Sequence, residues 1–226
     1  MYCQRNNNAI AVQSLPLSNT KRTTMKSTLI IEPIKLAKIE FTVRGTSPLI
    51  MHAWSEKALK MMRMTATERR KQKKTERNPE EEAFAATYKT EDGQYGVPAM
   101  ALKSSLIGAA HKDTGLAKTD VRKALRFPHA GILPIECCEP TIREDIVRVG
   151  MGATDIRYRC EFQEWSCRIS FNFDTSILTA NDILNLVDRA GFAVGVGEWR
   201  PEKGGEFGCF EVDRSEPIEQ SEPEAK

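Results

Sequence analysis

The sequence predicts an α+β protein in which an antiparallel sheet carries its helices on one side. Three observations lead there. Residues 165–173 alternate, with Trp165, Cys167, Ile169, Phe171 and Phe173 on one face and Ser166, Arg168, Ser170 and Asn172 on the other, the period of a half-buried strand. Thr179 then stands at the head of Ile183, Leu184, Leu186, Val187 and Ala190 in helical spacing, and a glycine-rich segment leads to a closing strand ending at Val212, giving strand-helix-strand order. A hydrophobic share of 40% with 28% charged residues suits one good core in water, and no apolar run approaches the roughly 18 residues of a bilayer span.

In chain order, residues 1–33 are polar, without sustained period, and read as a flexible arm in which Met25 is an alternative start. They lack the apolar block of a secretory signal, so a cytoplasmic location without membrane association is expected. A single domain is expected over 34–213, followed by an acidic tail over 214–226. Ile39, Phe41 and Val43 alternate with Glu40, Thr42 and Arg44 as a first strand, which Gly45-Thr46-Ser47-Pro48 breaks before Leu49, Ile50 and Met51 resume.

A basic insertion is expected over 55–83. Between Lys57 and Arg77 lie nine bases against two acids, Glu68 and Glu76, a net charge of +7. The run is either a solvated charged helix or a phosphate-contacting surface formed by Lys57, Lys60, Arg63, Arg69, Arg70, Lys71, Lys73 and Lys74. From Glu211 onward the net charge is −4, leaving +6 on residues 1–210, so a basic body carries an acidic end.

Asp92-Gly93 marks a hairpin turn within 88–98, and Pro98 opens a helix whose Ala101, Leu102, Ser105, Leu106, Ala109 and Ala110 form a small-residue face. Thr119 or Asp120 caps a short helix through VRKALR, residues 121–126. Strands are expected at 132–135, 142–149, 155–161 and 165–173, and Gly191 is expected to end the last helix. The final strand is expected to run through Phe207 and Cys209 to Val212.

Six glycines between Gly191 and Val212 exceed what a regular element tolerates. They describe either a long hairpin without ligand or a loop presenting Arg200 and Lys203 to an anion. Six cysteines without a C-x-x-C pair read as reduced thiols, and three histidines without metal-binding spacing imply neither metal nor cofactor. His52 and His111 are the weak candidates for a general base, since imidazole titrates near neutral pH.

Three segments together resemble the RAMP superfamily, the RNA-binding proteins that include CRISPR backbone subunits and guide-processing endonucleases. IEFTVRGTSPLIMH is similar to the family's opening strand and its Ser-Pro-Leu-Ile turn, matched by Ser47, Pro48, Leu49 and Ile50. GVPAMALKSSLIGAA is similar to the family's helix start, matched by Val97, Pro98, Leu102 and Lys103, although Ala99 and Met100 replace Gly-Ser. Gly195-Val196-Gly197 with Gly205 and Gly208 is similar to the C-terminal glycine-rich loop, in a longer version.

The resemblance implies a ferredoxin-like, RRM-like sheet that binds single-stranded nucleic acid without catalysis, as a homo-oligomer along its ligand. A stand-alone member of this kind suits a phage or mobile-element genome. Lys103 would add a cation near the helix start, and a hairpin carrying Arg143, Arg148, Arg157 and Arg159 would lie across the strand, with Met151 as a wedge or a loop tip without role. Trp199 is either a stacking platform or, preferentially, a buried anchor. The alternatives are a metal-independent RNA endonuclease of the same fold and an inhibitor that mimics a backbone subunit to engage a host nucleoprotein complex.

Overall fold

The computed structural model describes residues 32–71, 77–111, 115–128, 131–149, 152–222 and 224–225. The chain divides after Glu32, and every element named below belongs to Pro33–Lys226. Residues 1–31 of the expected arm, Met25 among them, together with Lys73, Lys74 and Met151, lie outside the described residues.

β1 (Lys35–Gly45) and β2 (Leu49–Ile50) precede three short helices, α1 (Glu56–Arg63), α2 (Ala66–Lys71) and α3 (Pro79–Ala85). Next come β3 (Gly96–Pro98), α4 (Ala99–Ala109), α5 (Lys118–Ala124), β4 (Leu125–Arg126), β5 (Ile132–Pro134) and β6 (Glu136–Cys137). A long hairpin, β7 (Thr141–Val149) and β8 (Ala153–Phe162), leads to β9 (Trp165–Asp174), α6 (Ala180–Ala193), β10 (Phe210–Val212), β11 (Glu219–Gln220) and β12 (Glu224–Ala225).

The main sheet has the order β10-β1-β9-β4, with every pair antiparallel. Ile39 faces Phe171, Phe41 faces Ile169 and Val43 faces Cys167 across its centre, and all six side chains are buried. Leu102 and Leu106 of α4 and Ile183, Leu186, Val187 and Ala190 of α6 join them in one cluster, so both helices cover the same sheet face. A second sheet, β2-β8-β7, and the pair β3-β5 complete the strands.

Several expectations change in detail. Gly191 does not end the last helix: α6 continues to Ala193, and Gly191 is a buried point of close packing where a Cβ would lie 1.7 Å from the Phe210 carbonyl oxygen. The glycine is there for close approach to β10. Thr179 does cap α6, accepting from the Asp182 amide while Asp182 reaches back to the Thr179 amide.

Neither Thr119 nor Asp120 caps α5, whose cap position is Ala117, and Leu125-Arg126 leaves the helix to become β4. There Leu125 is fully buried opposite Phe173, and tertiary pairing overrides helical spacing. Pro98 is the last residue of β3 and the cap of α4 rather than its first turn. The hairpin at 88–98 forms a single isolated bridge, Lys89 to Tyr95, around the turn.

The closing strand is only Phe210–Val212, with Phe210 and Val212 buried. The acidic end pairs with the sheet: β11 and β12 follow β10 along the same edge of β1, joining Ile39 to Gln220 and Lys35 to Ala225. Glu219 meets Arg168 at 3.0 Å, and Thr42 donates to Glu216.

Candidate functional site

The glycine-rich segment folds back on the turn that follows β1. Gly208 N donates to Pro48 O (2.8 Å), Glu198 N to Ile50 O (2.9 Å) and Val196 N to Gly208 O (2.9 Å). At Gly197, with φ +78°, a Cβ would come within 2.4 Å of Ile50 O, and at Gly208, φ +67°, within 1.8 Å of Val196 O. The segment is therefore not a free hairpin. Its glycines let backbone pack on backbone.

This packing brings the three resembling segments around one cleft of about 560 Å³, lined among others by Leu49, His52, Ala101, Gly197, Arg200 and Lys203. Trp199 lies beside it at φ +53°, the one positive-φ residue other than glycine among the described residues. It is 44% exposed, so it is not the buried anchor expected. Such backbone strain costs about 1–3 kcal/mol and collects at functional sites. The Lys203 side chain is exposed and without a partner among the described residues, whereas the Arg200 side chain is held by Glu202 (2.7 Å) and Gly197 O (3.1 Å).

His52 also lines a second groove of about 590 Å³, bounded by Trp54, Lys57, Arg77, Glu82, Asp155, Arg157 and Tyr158. Ser55 caps α1 on one side of it, accepting from the Ala58 amide. Across it, Arg77 ties α3 to β8, donating to Glu82 (2.6 Å) and Ile156 O (2.7 Å) and lying over the Tyr158 ring at 5.5 Å. Trp54 is 67% exposed at this groove, an aromatic surface absent from the residues that the sequence patterns single out. Its only sequence signal is that the apolar run resuming at Leu49 ends at His52 and Trp54.

The cations divide into two sets. Lys57, Lys60, Arg63, Arg69, Arg70 and Lys71 all stand exposed on α1 and α2, neither of which buries a residue. By contrast, Lys103 is buried, its Nζ donating to Leu125 O at 2.7 Å, with burial lowering its pKa. Lys103 is thus a tie between α4 and β4 rather than a phosphate ligand.

Of the hairpin arginines only Arg148 is exposed and unpaired among the described residues. Arg143, Arg157 and Arg159 share the face turned toward the glycine-rich segment, because odd positions on both strands point the same way. Arg159 is 2% exposed and bonded to Asp145 at 2.9 Å. Arg143 spans Asp145 (2.7 Å) and Glu161 (3.1 Å) over the Phe207 ring. Arg157 reaches His52 Nε2 at 3.0 Å.

A guanidinium only donates, so His52 Nε2 accepts and its ring hydrogen sits on Nδ1, which is buried without a partner among the described residues. That occupies the lone pair a general base would use. Burial, then Arg159 and Arg157, hold the His52 pKa below the ordinary 6.5, against a weaker pull from Glu198. His111 is exposed past the end of α4 and lines neither cavity.

A folded pKa below the unfolded one gives stability that is complete above about pH 6.5 and lost as pH falls toward the depressed folded value. His52→Gln is therefore expected to flatten the fall in melting temperature between pH 7 and pH 5. An unchanged slope would place the titrating group elsewhere.

Burial lifts Cys160 to about 11 and Cys167 to about 12, leaving neither as a thiolate near neutrality. Among the described residues no helix is long and apolar enough to cross a membrane.

No family model matches the chain, and no curated protein does. Among solved structures it is similar to a chain in the cryo-EM structure of the Type III-B Cmr-beta bound to cognate target RNA, at 8% identity and a TM-score of 0.43. The match covers 83% of this chain and 61% of the other, so this chain spans less than two thirds of its neighbour's length. A likeness that distant carries neither fold nor function by itself.

Proposed function

We propose that the protein binds single-stranded nucleic acid without cutting it. Phosphates run along the cations of α1 and α2, and a base enters the groove beside Trp54. The observation that carries this reading is the exposed Trp54 ring at the mouth of a 590 Å³ groove whose rim is the cationic helix α1. Base stacking on an aromatic ring is tolerant of sequence, and lysine and arginine clusters supply salt-dependent affinity. The groove wall also holds Glu82 and Asp155, which suit an uncharged base with exocyclic amines rather than a phosphate.

The strand order β10-β1-β9-β4, with α4 between β1 and β4 and α6 between β9 and β10, supports a ferredoxin-like, RAMP-type unit as the scaffold. His52, its acceptor nitrogen already taken by Arg157, favours binding over the endonuclease alternative.

Fluorescence anisotropy of labelled single-stranded RNA and DNA across a salt series tests the reading. Trp54→Ala is expected to lose about 1–3 kcal/mol, roughly 5- to 150-fold in affinity. Reversing Lys57, Lys60 and Arg63 to Glu should flatten the dependence of log K on log salt by roughly 0.7 for each phosphate that the variant no longer neutralises. Absence of binding to both strands at low salt would end the proposal.

A further inference from the structure

The outer strand of the β2-β8-β7 sheet is β7, and no described strand pairs with its free edge. It is nine residues long, TIREDIVRV, and it carries the most exposed isoleucine of the chain's described residues: Ile146, at 73%. Ile156 lies directly opposite Ile146 on β8 and is 38% exposed, and Ile142, four residues back on the same face, is 40% exposed. Long edges with exposed branched aliphatic residues are what monomeric sheet proteins avoid, since they template pairing with another strand.

The same face of β7 carries one acid and one base, Glu144 and Arg148, both exposed and neither side chain held in an ion pair with any described residue. They flank Ile146 symmetrically. An antiparallel pairing of β7 with a second β7 about a two-fold axis at Ile146 sets Ile146 against its own copy. It also sets Glu144 against Arg148 of the second copy, twice over. The alternative centre at Asp145 would oppose two carboxylates and set each Glu144 against an isoleucine, so charge selects the first register.

We infer that β7 is the docking edge for a second copy of this chain, forming a two-fold dimer in which the β2-β8-β7 sheet continues across both molecules. The odd-numbered side of the hairpin is already filled by Asp145, Arg159 and Arg143, so the pairing uses only the exposed even-numbered row of β7, Ile142 to Arg148, and the free backbone edge. It is independent of the nucleic-acid reading.

Sedimentation velocity on the whole chain without nucleic acid, from 1 to about 200 μM, tests it. The wild type is expected to shift from monomer to dimer over this range. Glu144→Arg and Arg148→Glu alone each oppose like charges twice, and each is expected to weaken dimerisation by roughly tenfold or more. The double variant restores complementarity and is expected to recover the dimer, while Ile146→Lys abolishes it. Circular dichroism melts of these surface variants report whether each is folded. A wild type that stays monomeric, single variants that dimerise like the wild type, or a folded double variant that does not recover would each overturn the assignment.

Discussion

Gly191→Ala is expected to lower stability by about 3 kcal/mol or more, although helix propensity alone predicts a gain of about 0.5–1 kcal/mol from the same change. The two effects have opposite signs, so the measurement decides between them. An ideal Cβ at Gly191 would lie 1.7 Å from Phe210 O and 2.5 Å from Phe210 C, and backbone atoms cannot swing aside as a side-chain tip does. Relief requires α6 and β10 to separate. That separation would loosen Phe210 and Val212, both buried, and the bond from the Val212 amide to Asp188 at 2.9 Å. Equilibrium urea unfolding reports the loss, with Gly131→Ala as control because nothing lies within 4 Å of a Cβ there. Equal midpoints for the two variants would mean that the close packing yields freely.

The second large effect concerns Arg159, the most deeply buried cation among the described residues. Asp145→Ala leaves the Arg159 guanidinium 2% exposed, with Glu198 at 3.9 Å as its remaining ion partner. Removing one member of a buried pair costs roughly 3–5 kcal/mol, because the stranded charge keeps its desolvation penalty. Arg159→Met combined with Asp145→Ala removes both charges and is expected to recover most of that loss. A thermodynamic cycle over the single and double variants measures the coupling. Additive losses would show that the pair contributes packing and no charge compensation.

These two sites also mark where sequence reading succeeds and where it stops. Strict alternation in β1 and β9, and Thr179 followed by Asp182, declare the sheet and the last helix, because each is a local pattern with a local cause. Gly191 carries no such signal: a glycine near a helix end reads as a terminator, and only the approach of Phe210 distinguishes a packing point from a stop. Leu125 fits a helical stripe until Phe173 claims it across the ladder. Arg159 sits in a run of arginines that reads as a surface, and its burial depends on strand parity relative to the glycine-rich segment. The cleft can be anticipated in its parts, since three segments stand out in the sequence and all three line it. The Trp54 groove cannot, as its walls come from α1, α3 and β8 and no short motif joins them.

The edge of β1 has a consequence for synthesis. Its neighbours on that side are β10, β11 and β12, and Lys38 bonds to Ser221, 183 residues further along. At about 5–20 residues per second, a ribosome would hold β1 without these partners for on the order of ten to forty seconds. For most of that interval, until β9 (Trp165–Asp174) emerges, Ile39, Phe41 and Val43 lack their sheet partner, so the nascent chain presents an adhesive strand. Slowing translation late in the message should raise the demand for holding chaperones, and truncation before Glu219 should leave folded molecules with the Lys35–Glu40 edge open to one another.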